Sequence, residues 1–169
     1  VACGTSSPPA KQTGSAAPPP IVHDANPPQE TKPVTAPATV LASATDSFEY
    51  KVGNPHFRGR TVVRITGDGN AEASFERGGK VDSYKGTVPA AKLTALRESL
   101  SNHPLASYQP KKRPAVPDEV TLEFVLVSGG ERSAASILHD ERYEIDALGE
   151  LVEIIQDIAK KVSGGKIEY

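Results

Sequence analysis

From residue 46 onward the chain alternates with a period of two before it changes to a helical period. Phe48, Tyr50 and Val52 fall on one side of a run whose other side is Ser47, Glu49 and Lys51, the pattern of a half-buried strand. Gly53-Asn54-Pro55 breaks that run. A second strand is predicted over 60–66, where Thr61, Val62, Val63 and Ile65 are β-branched. Gly67-Asp68-Gly69-Asn70 signals a hairpin, because Gly and Asn tolerate positive φ. The return strand over 71–77 sets Ala71, Ala73 and Phe75 on one side. Gly78-Gly79 then turns the chain into a fourth strand over 80–88.

The period changes after Pro89, a residue suited to a helix start because its missing N–H has no intrahelical partner there. Leu93, Leu96 and Leu100 form one apolar stripe, and His103-Pro104 ends the helix near residue 102. A loop over 105–117 holds Pro110, Pro114 and Pro117 around Lys111-Lys112-Arg113. A strand over 118–127 alternates Val120, Leu122, Phe124 and Leu126 against Thr121, Glu123 and Val125. Ser128-Gly129-Gly130-Glu131 turns it into a strand over 132–139. A last helix over 145–162 aligns Ile145, Leu148, Val152, Ile155, Ala159 and Val162, and Gly164-Gly165 stops it. The expected fold is α+β: an antiparallel sheet in the order ββββ-α-ββ-α, with two helices packed on one face.

Composition divides the chain of 169 residues at about residue 45. Residues 1–45 hold nine of the fifteen prolines, none of the nine aromatics, and two basic against two acidic side chains. Such a stretch buries too little apolar surface to offset the entropy of ordering it, so it is expected to be disordered. Its proline pairs and triplet favour extended polyproline II, and at about 3.1 Å per residue 4–45 would reach roughly 130 Å at full stretch. Residues 46–169 are expected to form a single globular domain. No apolar run approaches a membrane-spanning helix, and a formal net charge of −2 argues against a nucleic-acid partner.

The chain opens Val1-Ala2-Cys3-Gly4 and contains no methionine, so Val1 is read as lying downstream of a removed segment. Small residues before a cysteine, followed by the Pro/Ala/Ser/Thr-rich stretch, resemble the end of a bacterial lipoprotein signal. The resemblance covers the last three lipobox positions. It implies that Cys3 is the acylated first residue of the mature chain, carrying fatty acids such as palmitate, and that residues 4–45 are a tether. Gly4, rather than Asp, resembles lipoproteins sent to the outer membrane, with the domain in the periplasm or at the surface. Multiple acyl chains would make such attachment stable.

Catalytic signals are sparse. His23 lies in the proline-rich stretch, and His103 at a helix end is expected to cap carbonyls. His139-Asp140-Glu141 is the one dense group of metal-ligand types. Adjacent residues of an extended chain point apart, however, and no spaced partner such as HExxH accompanies it. It is read as a polar turn. No G-x-S-x-G elbow occurs, and each Gly-rich turn joins two strands rather than a strand and a helix. The expectation is a protein that is not an enzyme, with no catalytic residues, no metal and no cofactor.

Charge is unevenly placed. Residues 46–115 carry 12 basic and 7 acidic side chains, whereas 116–169 carry 5 and 12. The two halves either pair within one fold or leave a basic patch for an acidic partner. Arg58, Arg60 and Arg64 cluster near the second strand. Two loops look suited to recognition: Gly53–Gly59, whose Phe57 either stands exposed between its glycines or folds back into the core, and the basic loop over 105–117. The candidate partner-binding residues are His56, Phe57, Arg58, Lys111, Lys112 and Arg113. An exposed sheet edge offers a second mode, the addition of a partner strand.

The Leu93/Leu96/Leu100 helix begun by Pro89, the Ser128–Glu131 hairpin and the Gly-rich entry Phe57-Arg58-Gly59-Arg60 together resemble the emfourin-type inhibitors of thermolysin-like metalloproteases, over about residues 46–160. The resemblance implies an inhibitor of such an enzyme and carries over no individual inhibitory residue. The residues themselves point first to a membrane-tethered, non-enzymatic envelope lipoprotein that binds a protein or an envelope polymer.

Overall fold

The computed structural model describes residues 39–54, 58–111 and 119–167. Six strands form one sheet: β1 (Ser47–Asn54), β2 (Gly59–Thr66), β3 (Asn70–Arg77), β4 (Lys80–Thr87), β5 (Thr121–Ser128) and β6 (Glu131–Leu138). Their spatial order is β4-β3-β2-β1-β5-β6, and every pairing is antiparallel. Helix α1 (Ala90–Asn102) follows β4, and α2 (Asp146–Val162) follows β6. The architecture is the expected α+β fold in the expected element order.

Register explains why one sheet face takes both helices. Phe48 lies between Ile65 and Leu126, and Tyr50 lies between Val63 and Phe124. With Ala71, Ala73, Leu122 and Ile137 they form one buried cluster with Leu93, Leu96 and Leu100 of α1. From α2 the cluster takes Leu148, Leu151, Val152, Ile155, Ile158 and Ala159, a wider stripe than the sequence suggests. The Phe124 ring sits 5.3 Å from that of Tyr50 and 6.4 Å from that of Phe48, tilted against both, as aromatic pairs prefer. The opposite face is polar: one row across it reads Lys85, Glu72, Arg64, Glu49.

The turns differ in detail from the pattern-based reading. Pro89 is the N-cap of α1 rather than its first helical residue, and its carbonyl accepts the Lys92 and Leu93 N–H groups. At the other end the backbone N–H of His103 closes the last turn onto Ser99. Two short 3-10 turns that the sequence did not signal appear at Leu105–Ser107 and His139–Tyr143.

The packed unit begins earlier than the composition break at residue 45. Leu41 is fully buried and belongs to the core cluster. Leu41 adopts a φ of 57°, a left-handed conformation that costs a branched residue roughly 1–2 kcal/mol. Its burial and its bonds hold it there: its N–H meets Ser128 Oγ at 3.1 Å, and its carbonyl accepts Arg97 Nε at 3.1 Å. The same loop runs so close to the β2–β3 hairpin that a Cβ on Gly67 would lie 2.1 Å from the Ser43 carbonyl oxygen. Only glycine fits there.

Candidate functional site

The strands end in two different polar environments. At the start of β1 and the end of β5, Asp46 anchors a closed network. Its Oδ2 accepts the N–H groups of Ala42 (2.9 Å) and Ser43 (3.1 Å) and the Ser128 hydroxyl (3.2 Å), while Oδ1 accepts Gly129 N–H at 3.0 Å. Hydrogen bonds from the Ser43 and Gly129 backbone hold the Asp46 carboxyl below its ordinary pKa against a smaller opposing pull from burial. A cleft of about 590 Å³ opens beside this network, but the carboxylate that marks it is already engaged.

The basic cluster on β2 is likewise engaged. Arg60 Nη2 lies 2.8 Å from Glu76, and Arg64 Nε lies 2.6 Å from Glu49. Both pairs are register partners on the polar face. Burial draws the Glu49 carboxyl upward, but the bonds from Lys51 and Arg64 outweigh it and leave its pKa lowered. Of the three arginines, Arg58 alone lacks a carboxylate partner among the described residues.

Arg58 faces the opposite end of the sheet. There a cleft of about 480 Å³ opens beneath α2, walled by Val52, Phe75 and Val120 and bordered by Arg58, His139, Arg142 and Gln156. Local sequence builds each part. Gly59 has φ +103°, and a Cβ on it would lie 2.3 Å from the Phe75 ring, so strand and aromatic wall meet only because this residue is glycine. Val120 precedes β5 and its carbonyl accepts the His139 N–H at 2.9 Å, which starts the 3-10 turn at the cleft edge. Arg142 lies over the Tyr143 ring at 4.6 Å and donates to the Tyr143 hydroxyl. Its charge also reaches the buried Tyr50 hydroxyl. Burial pushes that pKa up, Arg142 works against the rise, and the hydroxyl has no hydrogen-bond partner.

The His139–Tyr143 turn links the two loops singled out by sequence. Arg58 shares the cleft with His139 and Arg142, while Lys111 is fixed to the same turn: its N–H donates to Glu141 Oε1 at 3.1 Å and its ammonium pairs with Glu144. Lys111 is therefore a paired cation. Cys3, His23, His56, Phe57, Lys112 and Arg113 lie outside the described residues.

Of His139, Asp140 and Glu141, only the first two meet. His139 borders the cleft and its Nδ1 lies 3.3 Å from Asp140, whose carboxylate is 85% exposed, while Glu141 is buried with Oε2 unpartnered. Among the described residues no three His, Cys, Asp or Glu side chains converge as a metal site. Sequence reasoning passed over Arg142 and Gln156. Gln156 lies beside Ile155 on α2, and only the packing of that helix over the strand ends turns it to the cleft. Among the described residues, no helix is long and apolar enough to cross a membrane. No protein-family model matches the chain, and no curated protein matches its sequence.

Proposed function

We propose that this chain is a membrane-tethered, non-enzymatic envelope lipoprotein whose α+β domain is a binding module. Cys3 carries the lipid, the Pro/Ala/Ser/Thr-rich stretch behind it supplies reach, and the domain engages a protein or envelope polymer. The observation that carries the reading is the juxtaposition of Val1-Ala2-Cys3 with a proline-rich stretch that gives way to a compact fold. The outer membrane is the proposed site of attachment, in keeping with Gly4.

The test is fractionation of a bacterial host producing the chain behind its lipoprotein signal, with mass analysis of the N-terminal peptide. Acylated Cys3 in the membrane fraction, and release of Cys3→Ala into the soluble fraction, are expected. Retention of Cys3→Ala on the membrane would overturn the proposal. Stoichiometric loss of activity on titrating a thermolysin-like metalloprotease with the chain would replace the general binding role with the inhibitor role that the emfourin resemblance implies.

A further inference from the structure

We infer that the cleft between the strand ends and α2 binds a small organic anion, with one carboxylate or phosphate group carried on an apolar or aromatic body. The inference deepens the binding-module reading and rests on it only in that the domain binds a ligand.

Three observations converge. First, the cleft borders collect unengaged donors. Arg58 has no polar partner among the described residues, the Gln156 amide has none, and Arg142 donates only to Tyr143. A guanidinium offers five N–H donors in a planar fork, so Arg142 retains the geometry that pairs with an oxyanion. His139 adds its second ring nitrogen, since Nδ1 faces Asp140. Second, among the described residues no carboxylate lines the cleft, although acidic side chains outnumber basic ones in the segment that supplies Val120, His139, Arg142 and Gln156. Three other arginines are engaged, Arg60 with Glu76, Arg64 with Glu49, and Arg97 with the Leu41 and Gly67 carbonyls, while Arg77 and Arg132 stand exposed. Arg58 and Arg142 meet at one cleft with no carboxylate in its lining among the described residues.

Third, the walls are apolar. Val52, Phe75 and Val120 line a space of about 480 Å³, inside the roughly 300–1,000 Å³ of small-molecule sites. An inorganic anion would leave those walls uncovered, whereas a ligand with an apolar body fills them while its charged group meets Arg58 and Arg142. The other two clefts lack this combination. The one beside Asp46 is lined by two carboxylates, Asp46 and Glu131, against a single arginine, and the one on the polar face contains Arg64 and Glu72, already bound to Glu49 and Ser83.

The test is calorimetric titration of the full chain with phenyl phosphate and, separately, benzoate, with benzyl alcohol as the neutral counterpart. Binding of at least one anion with a Kd of about 1 mM or tighter is expected, the strength of a few charge-assisted hydrogen bonds. Benzyl alcohol should not bind. The preferred anion tells whether the cleft takes phosphate or carboxylate. Arg142→Gln and Arg58→Gln should each weaken binding roughly tenfold or more, the effect of losing one hydrogen bond to a charged group. Arg58 is exposed, so its substitution keeps the test informative if Arg142→Gln unfolds the domain. Arg132→Gln, in the opposite cleft, should bind as the parent does and thereby excludes a general charge effect. Failure of both anions to bind, or equal binding by Arg58→Gln and the parent, would overturn the inference. Neither result bears on Cys3 acylation, so the tethering proposal stands or falls separately.

Discussion

The two ends of this sheet are built from similar residue types and put them to opposite use. At the Asp46 end, one carboxylate takes four hydrogen bonds and the 41–43 loop is fixed between the β2–β3 hairpin and Ser128. At the Arg58 end, two arginines, a histidine and a glutamine border a cleft with no carboxylate in its lining among the described residues. The Asp46 carboxylate finds its donors within the fold, so that end reads as structure, whereas the guanidinium donors at the Arg58 end meet no carboxylate and read as a place where an anion completes the pairing.

That contrast is broken most forcefully at Leu41. Leu41→Ala removes a fully buried side chain and should cost about 2–5 kcal/mol, read as a fall in the denaturation midpoint. Unchanged stability would show that the 41–43 loop does not belong to the core. Asp46→Asn should lower stability by less, and its effect has a pH signature. Since the folded pKa of Asp46 lies below the ordinary 3.8, its contribution is full above that pH and fades as pH falls through the lower folded value. Parent and variant should therefore converge in acid and separate toward neutrality. Asp68, lowered chiefly by the Thr66 hydroxyl and the Asn70 N–H, and Glu49 add the same sense of dependence in both chains.

At the Arg58 end the stability effects shrink. Glu141→Gln keeps an acceptor for Lys111 N–H and removes an unpartnered carboxylate oxygen, so the change should stay within about 1 kcal/mol in either direction. Lys111→Met breaks an exposed ion pair with Glu144 and should cost less than about 0.5 kcal/mol. Arg58→Gln should be the mildest, with chemical denaturation overlaying that of the parent. A large loss from Arg58→Gln would move the residue from the ligand site to the fold.

Most of the fold was legible because alternation and register agree. Phe48, Tyr50, Leu122, Phe124 and Leu126 fall inward as the period of two requires, and Leu93, Leu96 and Leu100 meet them as the helical period requires. The start of the packed unit was not legible. Leu41 sits among Ala, Thr and Ser residues in a stretch of loop, and its burial follows from contacts with hairpins far along the chain. The site was half legible. Arg58 stood out in a loop between glycines, but charge counting could not distinguish it from Arg60 and Arg64, whose partners are set by strand register. Nor could it reveal that Lys111 is paired across the fold, or that Arg142 turns toward the same cleft.

The most direct test of the contrast is amide chemical-shift mapping of the isotopically labelled chain during titration with phenyl phosphate and then benzoate. The account predicts that perturbations cluster at Val52, Arg58, Thr61, His139, Arg142 and Gln156, with Asp46, Ser128 and Gly129 unmoved. Shifts centred on the Asp46 end, or spread evenly over the surface with neither anion saturating, would contradict it.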